Sequence, residues 1–179
     1  MVRARFAGLS LIELLVGLVI LSILTSLAAP SFSRMLAEQR LRQAGSELRI
    51  SLATARSEAV KRNEGVSVVR QGGDWSSGWC VEPGAGEACS NQPIQQFNLS
   101  SDQITVTRNG ATGGSGIAFN AWGRVTDCPQ LRLSTTAAGS ACSLCLVVTT
   151  DGRVESHTGA CPSSCDAEGD DMSWVGSCS

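Results

Sequence analysis

The sequence predicts an α+β fold, in which one long N-terminal helix packs on antiparallel β-sheet and disulfides staple the body. Three observations carry this. An apolar run covers residues 9–29, and a helical repeat of small and apolar residues continues from it to Asn63. After residue 64 the pattern changes to short β-branched runs separated by Gly, Ser, Asn and Asp. All eight cysteines lie at or beyond Cys80, behind the apolar segment, as in an exported domain. With 179 residues and 42% hydrophobic content, the chain has room for one domain and an appendage.

The first element is the apolar run. As a helix rising about 1.5 Å per residue it spans roughly 30 Å, one bilayer core. Arg3 and Arg5 precede it and keep the N-terminus on the cytoplasmic side. A cleaved secretory signal fits these facts, with Ser26-Leu27-Ala28 or Leu27-Ala28-Ala29 as the cleavage site. A plain membrane anchor fits them too. Neither explains Glu13, a carboxylate inside hydrocarbon that costs about 2.5–3.5 kcal/mol on the insertion scale. Neither explains Gly8 between the basic leader and the run.

Pro30 is expected to close the span, because it has no amide to donate. Residues 31–63 then read as an amphipathic helix. Leu41, Gly45, Leu48, Leu52, Ala55 and Ala59 step by fours and threes into one stripe. The small members of that stripe let a sheet approach closely. Arg42, Arg49 and Arg56 repeat every seven residues on another, solvated face. Glu38/Arg42 and Glu58/Arg62 are i,i+4 pairs in the favourable order.

Strands are expected at 65–70, 103–108, 116–119, 130–133 and 144–150. Thr150-Asp151-Gly152-Arg153 is a hairpin signal of type I′, which would join 144–150 to a strand over 154–157. Trp75 and Trp79 fall in a Gly/Ser-rich stretch that reads as a loop, where they are core plugs or a contact surface.

The eight cysteines have three readings. Cys142-x-x-Cys145 and Cys161-x3-Cys165, fifteen residues apart, approach the spacing of a four-Cys zinc site. A redox Cys-x-x-Cys would sit at a helix N-terminus, and this one enters a strand. Export favours disulfides. Proximity along the chain suggests Cys80–Cys89, Cys128–Cys142, Cys145–Cys161 and Cys165–Cys178.

Nothing in the sequence has the pattern of an enzyme, and no cofactor or metal is expected. His157 is the one histidine and has no nucleophile or acid at recognisable spacing; it reads as surface. Gly113-Gly114-Ser115-Gly116 lacks the lysine and helix of a phosphate loop. The charge distribution is also a poor electrostatic match for nucleic acid. Residues 30–70 carry eight basic and four acidic residues (+4), whereas 71–179 carry four basic and eleven acidic (−7). The last fifteen residues hold Asp166, Glu168, Asp170 and Asp171 and no base.

Gly8-Leu9-Ser10-Leu11-Ile12-Glu13 resembles the processing signal of type IV prepilins and pseudopilins. The resemblance implies cleavage between Gly8 and Leu9 by a prepilin peptidase and N-methylation of Leu9. It implies that Glu13 neutralises the N-terminal amine of a neighbouring subunit in a dry filament core, where an unpaired charge is penalised. Two further stretches, Ala55–Arg62 and Ile117–Val125, resemble the branch holding the type II secretion pseudopilin H and minor pilins of the FimT and FimU type. The implied layout is a leader over 1–8, an assembly helix over 9–29, an amphipathic helix over 30–64 and a β-rich periplasmic part over 65–179.

The implied function is that of a minor pilin which primes pilus assembly and stays near the tip, in twitching or adhesion. Its partners would be other minor and major pilins, the inner-membrane assembly platform and a tip adhesin. It would sit first in the inner membrane with a single span, then on the pilus at the cell surface. A secretion pseudopilin is an alternative, although its relatives rely less on disulfides. A DNA-uptake receptor is another. Members of the branch that bind DNA carry Gly-Arg-x-Arg; here Gly152-Arg153-Val154-Glu155 keeps Arg153 but puts Glu155 at the second position. Gly123-Arg124-Val125-Thr126 lacks the second arginine too, so DNA is a poor match, with Arg153 as its remaining contact.

Overall fold

The computed structural model describes residues 10–99, 103–109, 116–135, 142–159 and 161–162. Helix α1 is Leu11–Arg62, 52 residues without a break. Pro30 lies within it and does not close it, contrary to expectation. Pro30 removes one backbone bond, to the carbonyl four residues earlier, and the turns on either side carry the helix through. The helix ends where Asn63 turns left-handed at φ 52°, and the Glu64 amide donates to the Ala59 carbonyl at 3.2 Å. Lys61 and Arg62 complement the last-turn carbonyls.

Among the described residues eight strands follow, all paired antiparallel. β1 (Val66–Gln71), β2 (Asp74–Pro83), β3 (Gln95–Asn98) and β5 (Gly116–Phe119) form one sheet in the order β3-β2-β1-β5. β4 (Ile104–Asn109), β6 (Gln130–Thr135), β7 (Cys142–Val148) and β8 (Val154–Thr158) form the other, β4-β6-β7-β8. The Val106 amide donates to Ser76 Oγ at 3.0 Å and ties the sheets together where β4 meets β2.

The expected stripe is the helix's buried face. Leu41, Leu48, Leu52, Ala55 and Ala59 are covered and pack into a core with Val68, Val81, Phe119, Leu131 and Leu146. At Gly45 an added Cβ would collide with the Leu144 side chain, so the sheet approaches the helix backbone there. Glu38–Arg42 and Glu58–Arg62 close at 2.6 and 2.8 Å.

The stretch around Trp75 and Trp79 is a ten-residue strand, β2, and not a loop. Trp79 is fully covered, donates from Nε1 to Ser51 Oγ at 2.9 Å and stacks on Phe97 at 4.6 Å. The turn between β7 and β8 is also not type I′. That turn needs φ > 0 at two central residues, and here Gly152 is left-handed (φ 79°) while Asp151 is not. Gly152 N–H donates to the Thr149 carbonyl at 2.7 Å and Thr149 N–H to the Arg153 carbonyl at 2.9 Å, a type I turn closed by a glycine bulge.

Candidate functional site

The N-terminal half of α1 is the first candidate. Its apolar side chains from Leu11 to Leu27 are between 49% and 76% exposed, with no cover from the body. Its hydroxyls are satisfied within the helix. Ser22, Thr25 and Ser26 donate to carbonyls three or four residues back, at 2.7–3.0 Å. Apolar side chains outside and polar groups satisfied inside are what a helix needs to lie in lipid or against other apolar helices. Ser10 stands at the N-cap with extended backbone and no side-chain cap bond, and Glu13 lies in the first turn, where the helix dipole favours a carboxylate. Gly8 and Leu9 lie outside the described residues.

The cysteines are settled in part. Cys80–Cys89 and Cys145–Cys161 are disulfides with Cα separations of 5.8 and 5.2 Å. Cys128 and Cys142 are disulfide-bonded as well. Cys165 and Cys178, with the pair expected between them, lie outside the described residues. A zinc site built on Cys145 and Cys161 is overturned, since each sulfur is bonded to the other. Under the Cys80–Cys89 bridge lies a covered carboxylate, Glu82, which accepts the Ser90 amide and hydroxyl, both at 2.7 Å. It fixes the loop that the disulfide closes.

At the other end of α1, the β7–β8 turn docks on the helix. Arg56, expected on a solvated face, is half-buried and donates to the Asp151 carbonyl at 2.9 Å. Arg153 Nε bonds Asp151 Oδ2 at 2.8 Å. The hydroxyl of Thr149 and the guanidinium of Arg153 hold the Asp151 carboxyl down at about 2. Bonds from Arg62 and Lys61 lower Glu58 in the same way. Arg153 is thus tied to an acid, and Glu155 lies in β8 beside it, 3.9 Å from His157. His157 is exposed on β8, as a surface residue. Trp122, which no pattern in the sequence marks as a contact, stands 78% exposed on the turn after β5.

A family model described as type II transport protein GspH matches residues 44–152, more than half of the chain. The chain belongs to the GspH family. A second model, the prokaryotic N-terminal methylation motif, matches residues 3–29. The GspH match therefore begins on the buried half of α1 and ends in the β7–β8 turn, with the methylation motif on the exposed half. Two crystal structures of the type IV minor pilin FimU from Pseudomonas aeruginosa (strain PAO1) share this fold. The form in space group P21 has 19% identity and a TM-score of 0.56, covering 72% of this chain and 96% of FimU. The P65 form has 19% identity and a TM-score of 0.52, covering 69% and 98%. A search of curated proteins gives no match. The pilin-like architecture expected from the sequence is the one found: a long helix against two antiparallel sheets, with disulfides.

Proposed function

We propose that this GspH-family chain is a minor pilin of a type IV pilus, which helps to prime assembly and sits near the tip. The observation that carries the reading is helix α1, bare and apolar over one half and packed into a β-body over the other. A bare apolar helix must be covered by lipid or by like helices, and a pilus subunit passes from one to the other. On this reading prepilin peptidase cuts after Gly8 and Leu9 is methylated. The body is periplasmic, held by a single inner-membrane span. Glu13 then meets the amine of a neighbouring pilin inside the filament, and the assembly platform drives the transfer. The role is structural, not catalytic.

The test is the full chain carrying Glu13→Ala, expressed in its host. Leader removal is expected to continue, and recovery in sheared filaments to fall at least tenfold. Normal recovery would remove the pairing role. The GspH match supports a second reading, a pseudopilin of type II secretion. Deletion separates the two: lost twitching supports the pilus, and lost secretion with normal twitching supports the pseudopilus. A DNA receptor gains little, because Arg153 is already paired with Asp151. Lost transformation alone would restore it.

A further inference from the structure

Where α1 ends, the body carries a surface that anchoring and assembly leave unused. Two tight turns meet there. Asn120 Oδ1 accepts the Trp122 and Arg124 amides, both at 3.0 Å, and its carbonyl accepts the Gly123 amide at 2.8 Å. This fixes the turn that carries Trp122. The β7–β8 turn lies against it, so closely that a Cβ at Gly152 would strike the Gly123 carbonyl oxygen. A Cβ at Gly123 would in turn come within 3.0 Å of Arg56 and Val60 on the helix. Next to these turns an open groove runs between α1 and the start of β8, and Arg49, Arg56, Val60, Lys61 and Arg153 are among its lining.

Among the described residues, no carboxylate lines the groove. Lys61 is engaged by Glu58 at 3.2 Å and Arg153 by Asp151 at 2.8 Å. Arg49 and Arg56 have no ion pair among the described residues, and Arg56 spends one N–H on a carbonyl. Two guanidiniums with spare donors in the groove, and an exposed tryptophan on the pre-formed turn that abuts Arg56, make the composition of an interface hot spot. The guanidinium fork matches a carboxylate. A rigid turn also lowers the ordering cost of binding.

Position and charge select the partner. At about 1.5 Å per residue, the groove stands about 30–48 Å along α1 from Ala29, out of reach of lipid headgroups. A run of phosphates would pass Glu58, Asp151 and Glu155, whereas one or two carboxylates would not. We infer that the Trp122 turn with Arg49 and Arg56 docks an acidic segment of a different pilin-fold subunit, seated at the membrane-distal end of the body. The inference rests on the pilin reading above.

The test uses the full chain in filament-bearing cells, with Trp122 replaced by p-benzoylphenylalanine. Irradiation is expected to give an adduct with another pilin-fold subunit, mapping to a segment with at least two Asp or Glu. Arg49→Glu is expected to cut its yield about tenfold. Changing the mapped carboxylate to arginine in the same cells restores it. An adduct with a second copy or with nucleic acid, or none in chains recovered from filaments, overturns the inference. A chain that keeps its leader and never enters filaments instead removes the pilin reading, and the docking surface with it.

Discussion

Trp79 and Ser51 join the longest strand to the helix, and their bond can be weighed by a double-mutant cycle. Both residues are covered, and the indole N–H reaches the hydroxyl at 2.9 Å. Ser51→Ala strands a buried N–H donor, which costs about 1–3 kcal/mol. Trp79→Phe removes the donor and part of a ring that packs on Phe97. The lost ring area costs about 1 kcal/mol at about 25 cal/mol per Å². The freed hydroxyl can turn back to the helix carbonyl four residues earlier, so its polar penalty is smaller. In the double variant no donor is stranded. Its loss is therefore expected to fall short of the summed single losses by about 1–2 kcal/mol. Denaturant unfolding of the full chain in detergent, followed by far-UV circular dichroism at constant m, reads this difference. Losses that add within about 0.5 kcal/mol would refute the reasoning, because the two groups would then not be coupled.

Three more outcomes are expected. Replacing Cys145 and Cys161 together with serine opens a loop of sequence separation 16 and should cost about 3 kcal/mol, read as a lower unfolding midpoint; an unchanged midpoint would show that the bridge adds nothing. Gly152→Ala forces a side chain into φ 79° and against the neighbouring turn, so a loss of about 1–3 kcal/mol is expected, and equal stability would mean the turns separate freely. The Asp151 carboxyl, held at about 2 in the folded chain against about 3.9 unfolded, stabilises the β7–β8 turn fully above that unfolded value. This contribution is lost as the pH falls from about 4 towards 2. Hydrogen-exchange protection of the Gly152 and Arg153 amides should decline over that window relative to β6, and a flat profile would contradict it.

The helix was legible because its constraint is periodic. Leu41, Leu48, Leu52, Ala55 and Ala59 must face one way, and nothing else in 31–63 competes for that face. Strands β1, β4, β5, β6 and β7 were legible from β-branched or alternating runs and β8 from the hairpin signal, with bounds within two residues of those found. β2 was hidden. Its Ser76, Ser77 and Gly78 have turn composition, and Gly78 at φ 126° breaks the alternation that Trp75, Trp79 and Val81 would otherwise show. Only its pairing with β1 and β3 makes it a strand. The same contrast holds for the sites. The leader motif is local, so six consecutive residues carry it. The distal surface takes Arg49 and Val60 from the helix, Trp122 from one turn and Arg153 from another. No spacing in the sequence connects those three segments.

The unbroken helix has a geometric consequence. Its 52 residues make a rod of about 78 Å at about 1.5 Å per residue. Its two ends are therefore geared together, in azimuth as well as in height. A change of one residue in the bare half would lift the body by about 1.5 Å and swing it by about 100°. The azimuth at which the bare half is seated thus fixes the compass direction in which Trp122 faces at the top. A subunit built this way has no independent means of turning its head.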